Sequence, residues 1–215
     1  MTIPPPDIVP YMAAWSAEQR IARTLLCGKG GIVYADEQPH DRDSRGALWM
    51  GTTLAQGRGR PEFARTHAQR QRRCMRALLC QVCAGPADRT EQGVLWLVEN
   101  DEGRADELNW PEDLVTVHPP ICAPCARQAL RLCPHLAGRG SVAVRVKDSA
   151  VEGVYGQLYR SSPHSPVEGR RDAVFYDSPE IRWVLAAQLT RTLRGCTVVG
   201  WPPQPAAPDP THIPL

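Results

Sequence analysis

Two pairs of cysteines, each with two residues between its members, stand well apart in the chain: "CQVC" at 80–83 and "CAPC" at 122–125. A Cys-x-x-Cys turn offers two thiolates to one borderline-soft cation without strain, and two such turns complete a tetrahedron of sulfur. The chemistry this spacing points to is zinc binding by Cys80, Cys83, Cys122 and Cys125. With four protein thiolates as ligands, no coordination position stays open for water, so the expected zinc is structural. Other uses of the pairs fit less well. Haem attachment needs a histidine after the second cysteine, but Ala84 and Ala126 stand there. A zinc deaminase needs an upstream His-x-Glu, and none occurs in the chain. Cys122-Ala-Pro-Cys125 also resembles a redox dithiol at a helix start, but the βαβ context is missing and the first pair would go unexplained. The remaining alternative is two unconnected pairs of core cysteines.

The flanking residues fit metal binding. After Cys80 the backbone can turn its amides toward sulfur, and Gly85 is expected to take the positive-φ turn that follows. Before the second pair, "HPPI" forces an extended approach. Pro124 then suits the first turn of a helix that would carry Ala126, Leu130 and Cys133 on one face. Cys122 and Cys125 would ligate from that helix N-terminus, whose dipole favours thiolate. Between the pairs, "GVLWLV" (93–98) and "DLVTV" (113–117) read as two strands joined by the acidic loop "ENDEGRADELNWPE".

Knuckle, hairpin and helix in that order resemble the treble-clef zinc fingers, over residues 78–136. The combination "CQVC…PADR…GVLWL…HPPICAPCA…CPHL" also resembles small proteins of high-GC actinobacteria and their phages, a group with no assigned activity. Treble clefs include the His-Me finger nucleases, so a metal-dependent nuclease is one alternative that the resemblance implies. Its general-base histidine would lie on the first strand between the pairs. Here His118 ends the second strand and His135 follows the helix, so neither matches.

Further clusters of ligand-type residues lie outside the two pairs. Cys74, Cys133, His118 and His135 are the candidates for a second metal site, against the commoner role of buried cysteine as a small hydrophobe. Cys27 and Cys196 are expected to be structural. "CGKGG" (27–31) is no phosphate loop, since Lys29 lacks the following Ser or Thr. "ADEQPHDRD" (35–43) gathers Asp36, Glu37, His40, Asp41 and Asp43, which read as a solvated turn rather than a chelate.

The charge pattern supplies the second functional lead. Residues 58–79 hold seven arginines against one glutamate, whereas 80–113 hold nine acids against two arginines. Residues 61–79 read as one helix opened by Pro61, with Ala64, Ala68, Gln71, Met75, Leu78 and Leu79 on one side. Arg65, Arg70, Arg72, Arg73 and Arg76 cover the other side, a face suited to the phosphates of DNA or RNA. The competing explanations are a solvated face and pairing with the acidic block. Arginine outnumbers lysine 23 to 2, a coding bias that weakens the argument.

These residues need elements to position them. A helix is expected over 13–26, and strands over 31–36 and 46–53. "DRDSRGALWM" (41–50) is echoed by "DRTEQGVLWL" (88–97), each a polar turn, a glycine and a strand carrying a buried tryptophan. Toward the C-terminus, "SVAVRVKD" and "GVYGQLYR" read as a hairpin and "DAVFYD" as a strand. A helix capped by Ser178 and Pro179 would then present Ile181, Val184, Leu185, Gln188 and Leu189 inward and end at Gly195. Both chain ends are proline-dense and expected to be extended.

At 215 residues, 42% hydrophobic and 22% charged, the chain can bury a core. No apolar run approaches the ~20 residues of a membrane span. The opening "MTIPPPDIVP" shows no basic n-region or apolar h-region, so the expectation is a cytoplasmic protein without a membrane partner, where thiols stay reduced. The fold class expected is α+β: a central treble-clef-like zinc module flanked by β-hairpins, with a C-terminal helix packed on a small antiparallel sheet. The divisions read from sequence are 1–60, 61–136, 137–200 and a tail at 201–215. The function expected is a non-enzymatic zinc-binding protein that contacts nucleic acid through the basic helix. The alternatives are a protein–protein adaptor and the nuclease.

Overall fold

The structure, a computed structural model, describes residues 8–99, 109–133, 136 and 140–200. Its elements in chain order are β1 (Ala13–Trp15), β2 (Leu25–Gly28), β3 (Gly31–Tyr34), β4 (Leu48–Trp49) and β5 (Pro61–Thr66), then α1 (Ala68–Ala77). There follow β6 (Arg89–Thr90), β7 (Gly93–Glu99), β8 (Leu114–Thr116), α2 (Ala123–Leu132), β9 (Ser141–Arg160), β10 (Val167–Phe175) and β11 (Val184–Val199). No described helix is long and apolar enough to cross a membrane.

Two long strands organise the molecule. β9 and β11 pair antiparallel from Val184↔Leu158 to Val199↔Ala143. The other edge of β9 takes β7 along 141–146 and β10 along 153–160. The other edge of β11 takes β4 in parallel at 185–186 and β8 antiparallel at 191–193. β1 pairs with β5, and β2 with β3, as separate ribbons.

Both faces of the sheet are covered, and the alternation of strand side chains sorts them. On β7, Leu95 and Leu97 join Cys80, Ile121 and Ala126 under α2. Val94, Trp96 and Val98 point the other way, onto Val144, Val146 and Leu193. α1 packs on β11 through Met75 and Gln71. The Gln71 amide donates to the carbonyls of Leu189 at 2.9 Å and Val117 at 2.7 Å, and accepts from the Leu189 N–H at 3.0 Å.

The architecture is α+β as expected, but it is mostly sheet, and several expected elements differ. The C-terminal helix is absent: Ser178 does accept from the Glu180 N–H at 3.2 Å, yet it caps only a 3-10 turn over Pro179–Trp183, and β11 follows. Residues 184–186 and 189–193 are buried on both faces, and such a doubly covered strand shows no alternation to separate it from a helix. The hairpin expected within 141–160 is one strand. Gly153 and Gly156 are not turn residues; a Cβ there would lie 2.4 Å from the Val174 carbonyl oxygen and 2.2 Å from that of Leu185. They let neighbouring strands approach.

The helix expected over 13–26 is replaced by extended chain, because its backbone pairs elsewhere: the Ile21 N–H reaches the Gly51 carbonyl at 2.9 Å, and the Thr53 N–H that of Gln19 at 3.0 Å. The helix expected over 61–79 is split. Its first third is β5, paired with β1, and only 68–77 are helical. The strands at 93–98 and 113–117 exist but are not partners; β7 pairs with β9 and β6, and β8 with β11. The tryptophan echo is real in structure: Gly46 (φ 90°) and Gly93 (φ 114°) each take a positive φ, and Trp49 and Trp96 are buried.

Candidate metal centre

The first cysteine pair hangs from the end of α1. Leu78 stops that helix in the left-handed conformation (φ 50°, ψ 48°), and the Leu79 N–H bonds back to the Cys74 carbonyl at 3.0 Å. A tight loop follows: Cys80 donates its N–H to the Gly85 carbonyl at 2.7 Å, and Ala84 to that of Cys80 at 2.9 Å. The Val82 N–H points at the Cys80 Sγ from 3.4 Å. The positive φ falls on Ala84 (60°) rather than on the expected Gly85. Gly85 instead gives room: a Cβ there would lie 3.4 Å from the Cys83 Sγ.

The second pair opens α2, as expected. Cys122 is its N-cap, with extended backbone (φ −87°, ψ 154°), and a proline occupies the first turn. Cys125 stands within that turn, where helix N–H groups and dipole favour thiolate. Three backbone bonds clamp the two pairs together. Gln81 donates to Pro120 at 3.0 Å, Asp88 to Ile121 at 3.1 Å, and Ile121 to Leu95 of β7 at 3.0 Å.

The four sulfur atoms consequently lie within 4.8 Å of one another. Those of Cys83 and Cys122 are 3.8 Å apart. Sulfurs around a tetrahedral zinc, with bonds of about 2.3 Å, sit roughly 3.8 Å apart. All four are free thiols rather than disulfides. Cys80 is buried, Cys122 and Cys125 half-buried, and Cys83 exposed. Burial pushes the Cys80 and Cys125 thiols above the usual range. Burial acts on Cys83 in the same sense but is outweighed by the Gly85 amide and the neighbouring thiols, so this thiol is lowered. Four thiolates this close repel one another, and a dication removes that repulsion.

The other candidate ligands do not join a second cluster among the described residues. Cys74 is fully buried, its thiol on the Cys80 carbonyl at 3.8 Å and pushed up to about 11 by burial. Cys133 caps the far end of α2, and the His118 carbonyl accepts the Trp96 indole N–H at 3.0 Å. His135 lies outside the described residues. Cys196 is pushed up to about 12 by burial and Glu112, and Cys27 is exposed on β2. The acids at 36–43 are bound internally: Asp36 and Asp41 hold Arg23, Glu37 holds Arg42, and Asp43 accepts from Trp49 and Tyr176.

The five arginines do not share one face. Arg65 is on β5, ion-paired to Glu62 at 2.8 Å and bonded to the Trp15 carbonyl. Arg70 is buried, both terminal nitrogens on the Glu18 carboxylate at 2.7 Å. Arg72 lies flat on Trp49, 3.8 Å from the ring centre. Of the helical arginines, Arg73 and Arg76 face solvent, as Arg65 does on β5, and Arg73 donates to the Tyr11 hydroxyl at 3.1 Å. The sequence reading missed the Glu18–Arg70 pair altogether, since no local pattern links residues 52 apart. The chain matches no protein-family model, no curated protein and no solved structure. What the site does therefore rests on its own geometry.

Proposed function

We propose that this is a non-enzymatic zinc-binding protein in which Cys80, Cys83, Cys122 and Cys125 hold one structural zinc ion. The observation that carries this reading is the approach of four free sulfurs to within 4.8 Å from two turns with 38 residues between them in sequence. Four thiolates fill a tetrahedron, so the metal would fasten rather than catalyse. It would fasten the end of α1 and the start of α2 to β7. The order of knuckle, β6–β7 hairpin and helix supports a treble-clef-like module. A thiolate site of this kind also suits a reducing compartment such as the cytoplasm. Elemental analysis of the purified protein is expected to give one zinc per chain. Iron fits the same ligand set, and its thiolate absorption in the visible would identify it instead.

A second reading, nucleic-acid contact, is favoured by one observation. Three described acids of 80–113 that might have covered α1 are engaged elsewhere: Asp88 with Arg145, Asp113 with Arg194, and Glu112 with the amides of Gly195 and Cys196. Arg73 and Arg76 are thus left to solvent. The paired change Arg73→Ala with Arg76→Ala is expected to abolish salt-dependent retention on DNA or RNA. Retention unchanged by it would end this reading.

A further inference from the structure

A basic cleft lies elsewhere, beside the ribbon of β2 and β3. The turn between them is Lys29-Gly30, with Gly30 at φ 85°. Gly31 seats this ribbon against the 3-10 turn 179–183. A Cβ on Gly31 would lie 2.3 Å from the Arg182 carbonyl oxygen, so only glycine permits the contact. Between the ribbon, the 42–46 loop and residues 176–182 opens a cleft of about 520 Å³. Lys29, Arg42, Arg45 and Arg182 line it, against one acid, Asp177.

These cations differ in what holds them. Arg42 is neutralised, its Nε on Glu37 at 2.7 Å, and it braces the wall through the carbonyls of Ile32 and Gly46. Arg45 is fixed but not neutralised: it lies over the Tyr176 ring at 4.8 Å and donates to the Val151 carbonyl at 2.9 Å. Asp43 fixes that ring in turn, accepting the Tyr176 hydroxyl at 2.8 Å. Among the described residues, no carboxylate is ion-paired with Lys29, Arg45 or Arg182. Three unneutralised cations around a concave space repel one another and focus a field that attracts an anion. Ile32 and Ile181 are among its lining residues, and its volume is that of an ordinary small-molecule site. Arginine's planar fork suits phosphate oxygens, and lysine adds a point charge.

We infer that this cleft binds the phosphate group of a nucleotide-sized ligand, with Lys29, Arg45 and Arg182 as its charge partners. It is not a phosphate loop of the strand–turn–helix kind, because a strand follows the turn. The inference rests on neither the zinc nor α1. The test is calorimetric titration of the full chain, at low salt, with pyrophosphate, with ADP, and with oligothymidylate carrying or lacking a 5′-phosphate. Phosphate-bearing probes are expected to bind, and the double variant Lys29→Ala with Arg182→Ala to weaken them at least tenfold at an unchanged melting temperature. Binding of pyrophosphate and ADP alone would assign a free ligand; binding of the 5′-phosphorylated strand alone would assign a strand end. Should the double variant fail to fold, Arg182→Lys is expected to retain binding and Arg182→Glu to abolish it. No binding by any probe, or binding indifferent to these substitutions, overturns the assignment.

Discussion

Gln81 donates its backbone N–H to the carbonyl of Pro120 at 3.0 Å, so the two halves of the four-cysteine site are hydrogen-bonded to each other through the main chain. Gln81 sits inside the first cysteine pair, and Pro120 two residues before the second. The bonds from Asp88 to Ile121 and from Ile121 to Leu95 extend this clamp onto β7, whose own pairing with β9 runs through 94–99. Closing the intervening chain thus costs its entropy when the sheet forms, and the sulfurs are brought together by folding. A metal bound there would hold them against their mutual repulsion and the fraying of two element ends.

Metal removal should therefore loosen one end of the molecule rather than unfold the sheet. Losing a structural metal belongs among the largest single destabilisations, about 4 kcal/mol or more, and a chain of this size moves 2–4 °C per kcal/mol, as an approximate rule. Chelation is expected to lower the melting temperature by roughly 10 °C. Cys83→Ser should do the same and lose the zinc, whereas Cys27→Ser, exposed on β2, should do neither. Thermal melts with metal analysis on the three proteins check this; a Cys83→Ser protein with normal metal content and melting would sink the zinc centre.

The buried Glu18 sets an acid limit on stability. Burial by itself would raise its carboxyl; the Arg70 guanidinium and the amides of Trp15 and Ala55 outweigh that and hold it down to about 2, from an ordinary 4.5. A depressed acid contributes stability that is complete above its unfolded value and lost as pH falls toward the folded one. The window is therefore between 4.5 and about 2. His67, whose Nε2 lies 3.6 Å from the same carboxylate, is lowered mainly by burial. The unfolded chain takes up its proton first, which steepens the same acid loss from about pH 6.5 downward. Glu18→Gln should flatten the limb below 4.5 and cost about 3–5 kcal/mol near neutrality, because Arg70 is left buried and unpaired. Urea midpoints between pH 2 and 8 measure both.

The parts of this protein that were legible in sequence are those written locally. The CxxC turn, the prolines before Cys122 and the helix after it each occupy a few consecutive residues, and all three are where they were expected. Strand positions at 93–98 and 113–117 were legible as well, but their partners were not, because β9 and β11 lie further along the chain. The helix expected after Ser178 failed for a physical reason: Ile181, Val184, Leu185 and Leu189 match a helical stripe and equally a strand covered on both faces. Its cap was correctly placed on a turn too short to be that helix. The arginine face failed because β5 and Glu18 each claimed an arginine from outside the helix. The basic cleft joins residues 28–46 to 176–182, a separation no pattern of neighbours encodes.

The repeated Asp-Arg-x-x-x-Gly-x-Leu-Trp segments allow a matched test. Gly46 (φ 90°) and Gly93 (φ 114°) both occupy backbone that side chains avoid. They differ in what surrounds them. A Cβ on Gly46 meets nothing within 4 Å, while one on Gly93 would lie 2.1 Å from the Val146 carbonyl oxygen of β9. Gly46→Ala is expected to cost about 1–2 kcal/mol, the conformational penalty alone. Gly93→Ala should cost more than roughly 4 kcal/mol, since the β7–β9 ladder must move. Equal midpoints in denaturant would show that the two turns are not held as described.

Gln71 is the last and most demanding case, a fully buried amide that makes three bonds to the backbone of other elements. It holds both the N–H and the carbonyl of Leu189 on β11, and the carbonyl of Val117 just after β8. The β9–β11 register shifts between Ala186 and Gln188, immediately before this point. Gln71→Leu keeps the volume and orphans three buried main-chain groups at about 1–3 kcal/mol each, so a loss of roughly 4 kcal/mol or more is expected. Gln71→Glu separates hydrogen bonding from packing. Its carboxylate would face two carbonyl oxygens and could donate to neither, while its protonated form could donate to one. The folded-state carboxyl should therefore be raised, and a raised acid is stabilising below its folded value and destabilising as pH climbs through it. Gln71→Glu should accordingly be more stable at pH 5 than at pH 8, opposite to the trend that His67 imposes on the parent chain over that range. A Gln71→Glu protein following the parent's pH trend would show that the three bonds do not hold this helix to the sheet.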